Sequence, residues 1–150
     1  MIFLGIGSNQ GDKASHLHAA LAHLQGCGVE IRRCSRFYHT APWGGVEQAA
    51  FLNAVCEVSF AGSASELLDH CLAIEIEMGR VRQQKWGPRL IDLDVLEFHR
   101  EQWDTERLKL PHPYYPQRDF VLEPLAELEP DWVPTGYQET VTELLAKLNA

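Results

Sequence analysis

The stretch Trp86-Gly87-Pro88-Arg89-Leu90-Ile91-Asp92-Leu93-Asp94-Val95-Leu96 decides how the chain is read. After the Gly87-Pro88 break, Leu90, Ile91, Leu93, Val95 and Leu96 have the character of a buried strand. Two aspartates interrupt the apolar run. Residues i and i+2 of a strand point to one face, so Asp92 and Asp94 project together, roughly 6–7 Å apart along the backbone. Two carboxylates there are costly without a partner. A divalent cation would meet that cost, since Mg²⁺ in phosphoryl transfer is typically held by one or two carboxylates and the substrate's phosphates. The pair alone also fits one ion-paired and one solvated aspartate on an edge strand.

Working outward from this strand, Ile91 to Phe98, the other elements fall into place. Ile2 to Ile6 read as a first strand, followed by the turn residues Gly7 to Asp12, with Asp12 a helix N-cap. Leu17, Leu21 and Leu24 give a helical stripe that stops at Gly26 and Gly28. Val29 and Ile31 begin a second strand running towards Tyr38, and Thr40 to Gly45 form a loop. Leu52, Ala54, Cys56, Val58 and Phe60 alternate through a third strand, with Phe51, Asn53 and Val55 on its other face. Ser63 and Glu66 form a capping box for a helix through Leu67, Cys71, Ile74 and Met78, which Gly79 ends. Pro111, Pro113 and Pro116 mark a rigid irregular segment. Phe120 to Leu128 read as a short helix, and Thr140 with Glu143 caps a last one through Leu148.

The order β-α-β-β-α-β is the ferredoxin-like order. It predicts an α+β fold: an antiparallel sheet with helices on one face, plus a C-terminal helical extension. The opposite face is expected to be free for a ligand, under loops. The length of 150 residues predicts one domain, 1–150.

Hydrophobic content of 45% and charged content of 23% are ordinary for a soluble globular chain. No apolar run approaches the roughly 20 residues that cross a bilayer, and the first residues read as a strand, not a leader, which predicts a cytoplasmic protein without a membrane partner. A net charge of −8 speaks against a nucleic-acid partner. Cys27, Cys34, Cys56 and Cys71 lack C-x-x-C spacing and read as free thiols. His16 and His18 do not share a helical face, so no structural zinc site is expected.

Chemistry concentrates in four groups of residues. The first is Asp92 and Asp94. The second is basic, Arg80, Arg82, Lys85 and Arg89, as suited to phosphate oxygens as to a solvated loop. The third is Pro111-His112-Pro113 with Arg118. The fourth is Thr40, Pro42, Trp43, Phe51, Asn53 and Phe120, whose rings and amide can sandwich a flat heterocycle and read its edge, or simply pack a core. No P-loop, dinucleotide fingerprint or nucleophile motif is present, which leaves direct phosphoryl-type transfer by positioning and electrostatics.

These motifs resemble the 6-hydroxymethyl-7,8-dihydropterin pyrophosphokinases of folate biosynthesis. The matching segments are Gly5-Ile6-Gly7-Ser8-Asn9, Phe37-Tyr38-His39-Thr40-Ala41-Pro42, Phe51-Leu52-Asn53, Glu75 with Gly79-Arg80-Val81-Arg82, Trp86 to Asp94, and Leu110-Pro111-His112-Pro113 followed by Arg118-Asp119-Phe120-Val121-Leu122. The resemblance implies that MgATP donates its β,γ-diphosphate to the pterin's hydroxymethyl oxygen, leaving AMP. Asp92 and Asp94 would hold two Mg²⁺ ions and, with Arg82 and Arg89, carry catalysis. Glu75, Arg80, Arg82, Arg89, Ile91, His112 and Arg118 would form the ATP site. Thr40, Pro42, Trp43, Phe51, Asn53, Trp86, Asp92 and Phe120 would form the pterin site, closed by the loop that carries Arg82 and Trp86. Two other functions compete: a different metal-dependent nucleotidyl or phosphoryl transferase, and a non-catalytic ferredoxin-like ligand-binding module.

Overall fold

The structure is a computed structural model and describes residues 1–40, 50–79 and 90–150. Strand β1 (Ile2–Ser8) runs through the middle of a sheet in which every neighbouring pair is antiparallel. It is followed by α1 (Lys13–Gly26), β2 (Glu30–Cys34), β3 (Tyr38–Thr40), β4 (Phe51–Ser59), α2 (Ala64–Glu77) and β5 (Asp92–Phe98). Hydrogen-bonded neighbours give the order β2-β4-β1-β5, with β3 also paired to β4.

Alternation along the strands makes two cores. Ile2, Leu4, Ile6, Leu52, Ala54, Cys56 and Val58 face α1 and α2, where Leu17, Leu24, Leu67, Cys71 and Ile74 close over them. Both helices start where the sequence places them. Asp12 accepts the Ser15 N–H, and Ser63 and Glu66 form a reciprocal capping box. Gly79 follows α2 with a φ of +92°, a conformation that costs glycine little.

The opposite face differs from expectation. It is not left to loops. A turn of 3-10 helix (Tyr115–Gln117), α3 (Asp119–Leu128) and α4 (Val141–Leu148) cover part of it. Phe3, Val55 and Leu96 on that face meet Tyr115, Leu122, Leu125, Val141 and Leu144. A β-bulge makes the contact: Phe3 pairs with Glu97 and Leu4 with Val95, leaving Leu96 as the extra residue. Leu96 and Glu97 therefore both reach the second layer. There the fully buried Glu97 carboxylate accepts from Tyr115 Oη, from Thr135 N at 2.9 Å and from Thr135 Oγ1 at 2.6 Å. The sequence showed the two C-terminal helices but not where their apolar faces dock.

The second strand is also corrected. It does not run unbroken to Tyr38. Buried Ser35 interrupts it, accepting the Val55 N–H at 3.0 Å and donating to the Arg36 carbonyl at 2.8 Å. A hydroxyl thus takes a place that a backbone carbonyl would fill. Between the pairs Cys34↔Cys56 and Tyr38↔Asn53, four residue steps on one strand oppose three on the other. The hairpin of β6 (Trp103–Asp104) and β7 (Lys109–Leu110) is too short to show a periodic pattern, and the sequence reading missed it.

Candidate active site

The part of the second face that the C-terminal layer leaves uncovered is a cleft of about 200 Å³. Its floor is β1, whose two site-facing residues are glycines. Gly7 pairs with Asn53 of β4 on one side and Asp92 of β5 on the other, and Gly5 pairs with Val55 and Asp94. Asn53 and Asp92 therefore stand two interstrand spacings apart, roughly 10 Å, with no side chain between them. A Cβ on Gly7 would lie 2.5 Å from Asn53 Oδ1, so only glycine admits the amide in this position. Asn53 Nδ2 donates to Thr40 Oγ1 at 2.6 Å, which joins β3 and β4 at the cleft and fixes the amide plane. Phe51 and Phe120 add aromatic wall.

The other wall is polar. Asp92 is half-buried and Asp94 exposed, and both line the cleft. The strand that carries them is an edge of the sheet among the described residues. Its Leu93 N–H is held by the buried Glu75 of α2, with Oε2 accepting at 2.9 Å. His112 donates its backbone N–H to Leu96 O at 2.9 Å, which brings the imidazole beside β5. Burial, and then the charge of Arg118, lower the His112 pKa to about 4, so the ring is neutral at pH 7. Its Nδ1 is buried without a hydrogen-bond partner among the described residues. The Arg118 guanidinium lies 5.7 Å from the Tyr114 ring centre and 5.6 Å from that of Phe120, within cation–π range, and Arg118 lines the cleft.

The donor chemistry suits a hard cation. Asp92 and Asp94 offer only oxygen, and no group of three or more His, Cys, Asp or Glu side chains fit for a metal exists among the described residues. An ion here would complete its shell with water or phosphate oxygens, the habit of Mg²⁺.

A family model described as 7,8-dihydro-6-hydroxymethylpterin-pyrophosphokinase (HPPK) matches residues 3–130. The chain belongs to the HPPK family. A 2-amino-4-hydroxy-6-hydroxymethyldihydropteridine pyrophosphokinase of Methylorubrum extorquens is 48% identical over 148 residues, 98% of this chain and 92% of that protein. The protein of the same name in Bacillus subtilis is 44% identical over 127 residues, 84% of this chain and 76% of its own. The crystal structure of wild-type Plasmodium falciparum HPPK-DHPS with pteroate shares the fold at a TM-score of 0.77, with 15% identity. The likeness covers 97% of this chain and 44% of that one, so the chain spans under half of the solved protein.

Of the residues that the sequence pointed to, the structure brings Thr40, Phe51, Asn53, Asp92, Asp94, His112, Arg118 and Phe120 to one cleft. Glu75 does not line it and instead supports β5. The Ile91 side chain is buried in the core towards α2, which leaves only its backbone to face a ligand. Pro42, Trp43, Arg80, Arg82, Lys85, Trp86 and Arg89 lie outside the described residues, as does the expected closing loop. Two floor residues were missed as functional. Gly5 and Gly7 enter the sequence analysis only within the matching segment Gly5 to Asn9, with no role of their own. Two glycines at i and i+2 inside a strand mark a close approach to its face, and that was the available clue. Tyr114, whose ring lies near the Arg118 guanidinium as that of Phe120 does, had no sequence signature.

Proposed function

We propose that this cleft is the site at which the chain, as a single domain of ferredoxin-like order over 1–150, performs the HPPK reaction. MgATP and 6-hydroxymethyl-7,8-dihydropterin are the substrates, and the pterin diphosphate and AMP the products. The observation that carries this reading is the row Asn53–Gly7–Asp92. A flat ring can lie over the bare glycine, with its edge on the Asn53 amide and its hydroxymethyl arm towards the carboxylates. Phe51 and Phe120 wall the ring, and Thr40 holds the amide that reads it. Pro42, Trp43 and Trp86 complete the pterin pocket.

Asp92 and Asp94 would hold two Mg²⁺ ions against the triphosphate, where the metal supplies charge neutralisation and polarises the attacking and leaving oxygens. Arg118 presents a bidentate fork to phosphate oxygens, and neutral His112 offers a hydrogen bond without adding charge. Arg82 and Arg89 follow charge as it moves between phosphates. Arg80 and the Ile91 backbone support the nucleotide, and buried Glu75 acts on that pocket through β5, whose Leu93 N–H it holds. The chemistry then rests on in-line positioning and electrostatic stabilisation, as phosphoryl transfer generally does. No nucleic acid is involved, which fits the net charge of −8. No helix among the described residues is long and apolar enough to cross a membrane. We infer the cytoplasmic setting that the sequence suggests.

The test is product analysis. The protein is mixed with MgATP and the reduced hydroxymethylpterin. Formation of AMP in step with the pterin diphosphate supports the proposal. ADP would indicate a different phosphoryl transferase, and no nucleotide product would remove the catalytic reading of the cleft.

A further inference from the structure

Cys34 of β2 and Cys56 of β4 are direct cross-strand partners. The next pair along, Ser35 and Val55, carries the ladder bond from Ser35 N to Val55 O at 2.9 Å. Bonded and non-bonded pairs alternate in an antiparallel ladder, so Cys34 and Cys56 form a non-bonded pair, with Cα atoms roughly 4.5 Å apart. That lies inside the range of roughly 4.4–6.8 Å over which a disulfide can form. The two sulfurs are already 2.8 Å apart, and both residues are free thiols. Cys34 is half-buried on an edge strand, while Cys56 is fully buried beneath it. Both pack against the core under α1 and α2, on the face away from the cleft.

We propose that Cys34 and Cys56 are a redox couple that closes a reversible cross-strand disulfide when the protein meets a peroxide, stapling β2 to β4 without entering the active site. The Cys34 thiolate attacks one peroxide oxygen. The O–O bond breaks, one water leaves, and Cys34 becomes a sulfenic acid. The Cys56 sulfur, giving up its proton, then attacks the Cys34 sulfur. The S–S bond forms and the hydroxyl departs as a second water. The two sulfurs together lose two electrons, and the peroxide gains them.

The division of labour follows from exposure: Cys34 is half-buried on the edge strand, where a peroxide reaches it, and Cys56 is fully buried. Cys56 Sγ–H donates to Cys34 Sγ, and this bond holds the Cys34 thiol below its ordinary pKa. The same bond, helped by burial, pushes Cys56 up. Cys34 is thus the attacking group and Cys56 the resolving one. The other two thiols serve as internal controls. Cys27 donates to the His23 and Leu24 carbonyls at 3.3 and 3.4 Å, and burial raises its pKa. Burial, with the charge of Glu75, pushes Cys71 up to about 12.

The experiment exposes the full chain to a small molar excess of hydrogen peroxide, then titrates thiols in denaturant. Titratable thiols should fall from four to two, with a mass loss of two hydrogens and a linked peptide pair containing Cys34 and Cys56. Dithiothreitol should restore all four, and pyrophosphokinase activity should be unchanged in the oxidised form. In Cys56→Ser, dimedone should trap a sulfenic acid on Cys34. In Cys34→Ser, the three remaining thiols should survive the same exposure. Survival of all four thiols in the natural sequence, a link through Cys27 or Cys71, or Cys27 oxidising as fast as Cys34 would each overturn the proposal. Loss of activity on closure would overturn the separation of the staple from the cleft.

Discussion

Replacing Gly7 by alanine adds one methyl to the cleft floor, and the structure says what it meets. The new Cβ would lie 2.5 Å from Asn53 Oδ1 and 3.6 Å from Asn53 Cγ, while the Leu52 carbonyl is at an ordinary 3.7 Å. Asn53 is the part that must move. Its 2.6 Å bond to Thr40 Oγ1 then stretches or breaks, at a cost of about 1 kcal/mol. Against this, alanine in a strand interior recovers about 0.5–1 kcal/mol of backbone entropy relative to glycine. The two effects nearly cancel, so denaturant midpoints should barely change. Pterin binding should not be spared, because a displaced amide loses at least one aligned hydrogen bond to the ring edge. We expect a loss of about 1.5–3 kcal/mol, roughly ten- to a hundredfold in dissociation constant. Titration calorimetry with the pterin in the presence of an unreactive ATP analogue measures this, and affinity for the analogue alone should be unchanged. Gly5→Ala separates the two effects, since it also puts a methyl on the floor, but its Cβ would sit an ordinary 3.6 Å from Leu96 Cδ1, which leaves the Asn53 amide in place. Unchanged pterin affinity in a folded Gly7→Ala variant would refute the placement of the ring over Gly7 and the role given to Asn53.

Asp92→Asn and Asp94→Asn should each remove several kcal/mol of transition-state stabilisation with Mg²⁺ and leave the unfolding curve intact; near-normal turnover in either would dissolve the carboxylate pair as a metal site. Phe120→Ala should weaken pterin binding by about 1–3 kcal/mol with little change for ATP, whereas equal losses for both ligands would recast the ring as packing for Arg118. His112 has a folded pKa of about 4, below the unfolded value, so the unfolded chain binds more protons. Its contribution is complete above about pH 6.5 and is lost as pH falls through about 4, with a slope of at most about 1.4 kcal/mol per pH unit, reduced by solvent because the ring is only half-buried. Unfolding free energies from pH 7 to 5 should therefore fall more steeply for the natural sequence than for His112→Asn; parallel curves would show that the imidazole gains charge freely in the folded state.

The features that the sequence made legible are those set by neighbours a few residues apart. Asp12 with Ser15, Ser63 with Glu66 and Thr140 with Glu143 cap their helices as read, because each cap closes within one turn of chain. The period of two in Asp92, Leu93 and Asp94 likewise puts both carboxylates on one face of β5 from local sequence alone. Ser35 escaped this logic. Its residue type gives no hint that its hydroxyl substitutes for a backbone carbonyl, since the partner N–H belongs to Val55, on another strand.

What the tertiary structure alone decided is which faces meet. The sequence grouped Asn53, Asp92, His112, Arg118 and Phe120 by chemical type. Their common cleft depends on β1 lying between β4 and β5 and on α3 docking over Phe3, Val55 and Leu96. Those choices are made by burial of apolar area between segments far apart in the chain, and burial is non-directional, so a local pattern shows that a face will be covered without showing what covers it. The bare floor at Gly5 and Gly7 is the clearest instance. In the sequence they are two glycines in an apolar strand, and only the register of β4 and β5 on either side turns the missing side chains into room for a ligand.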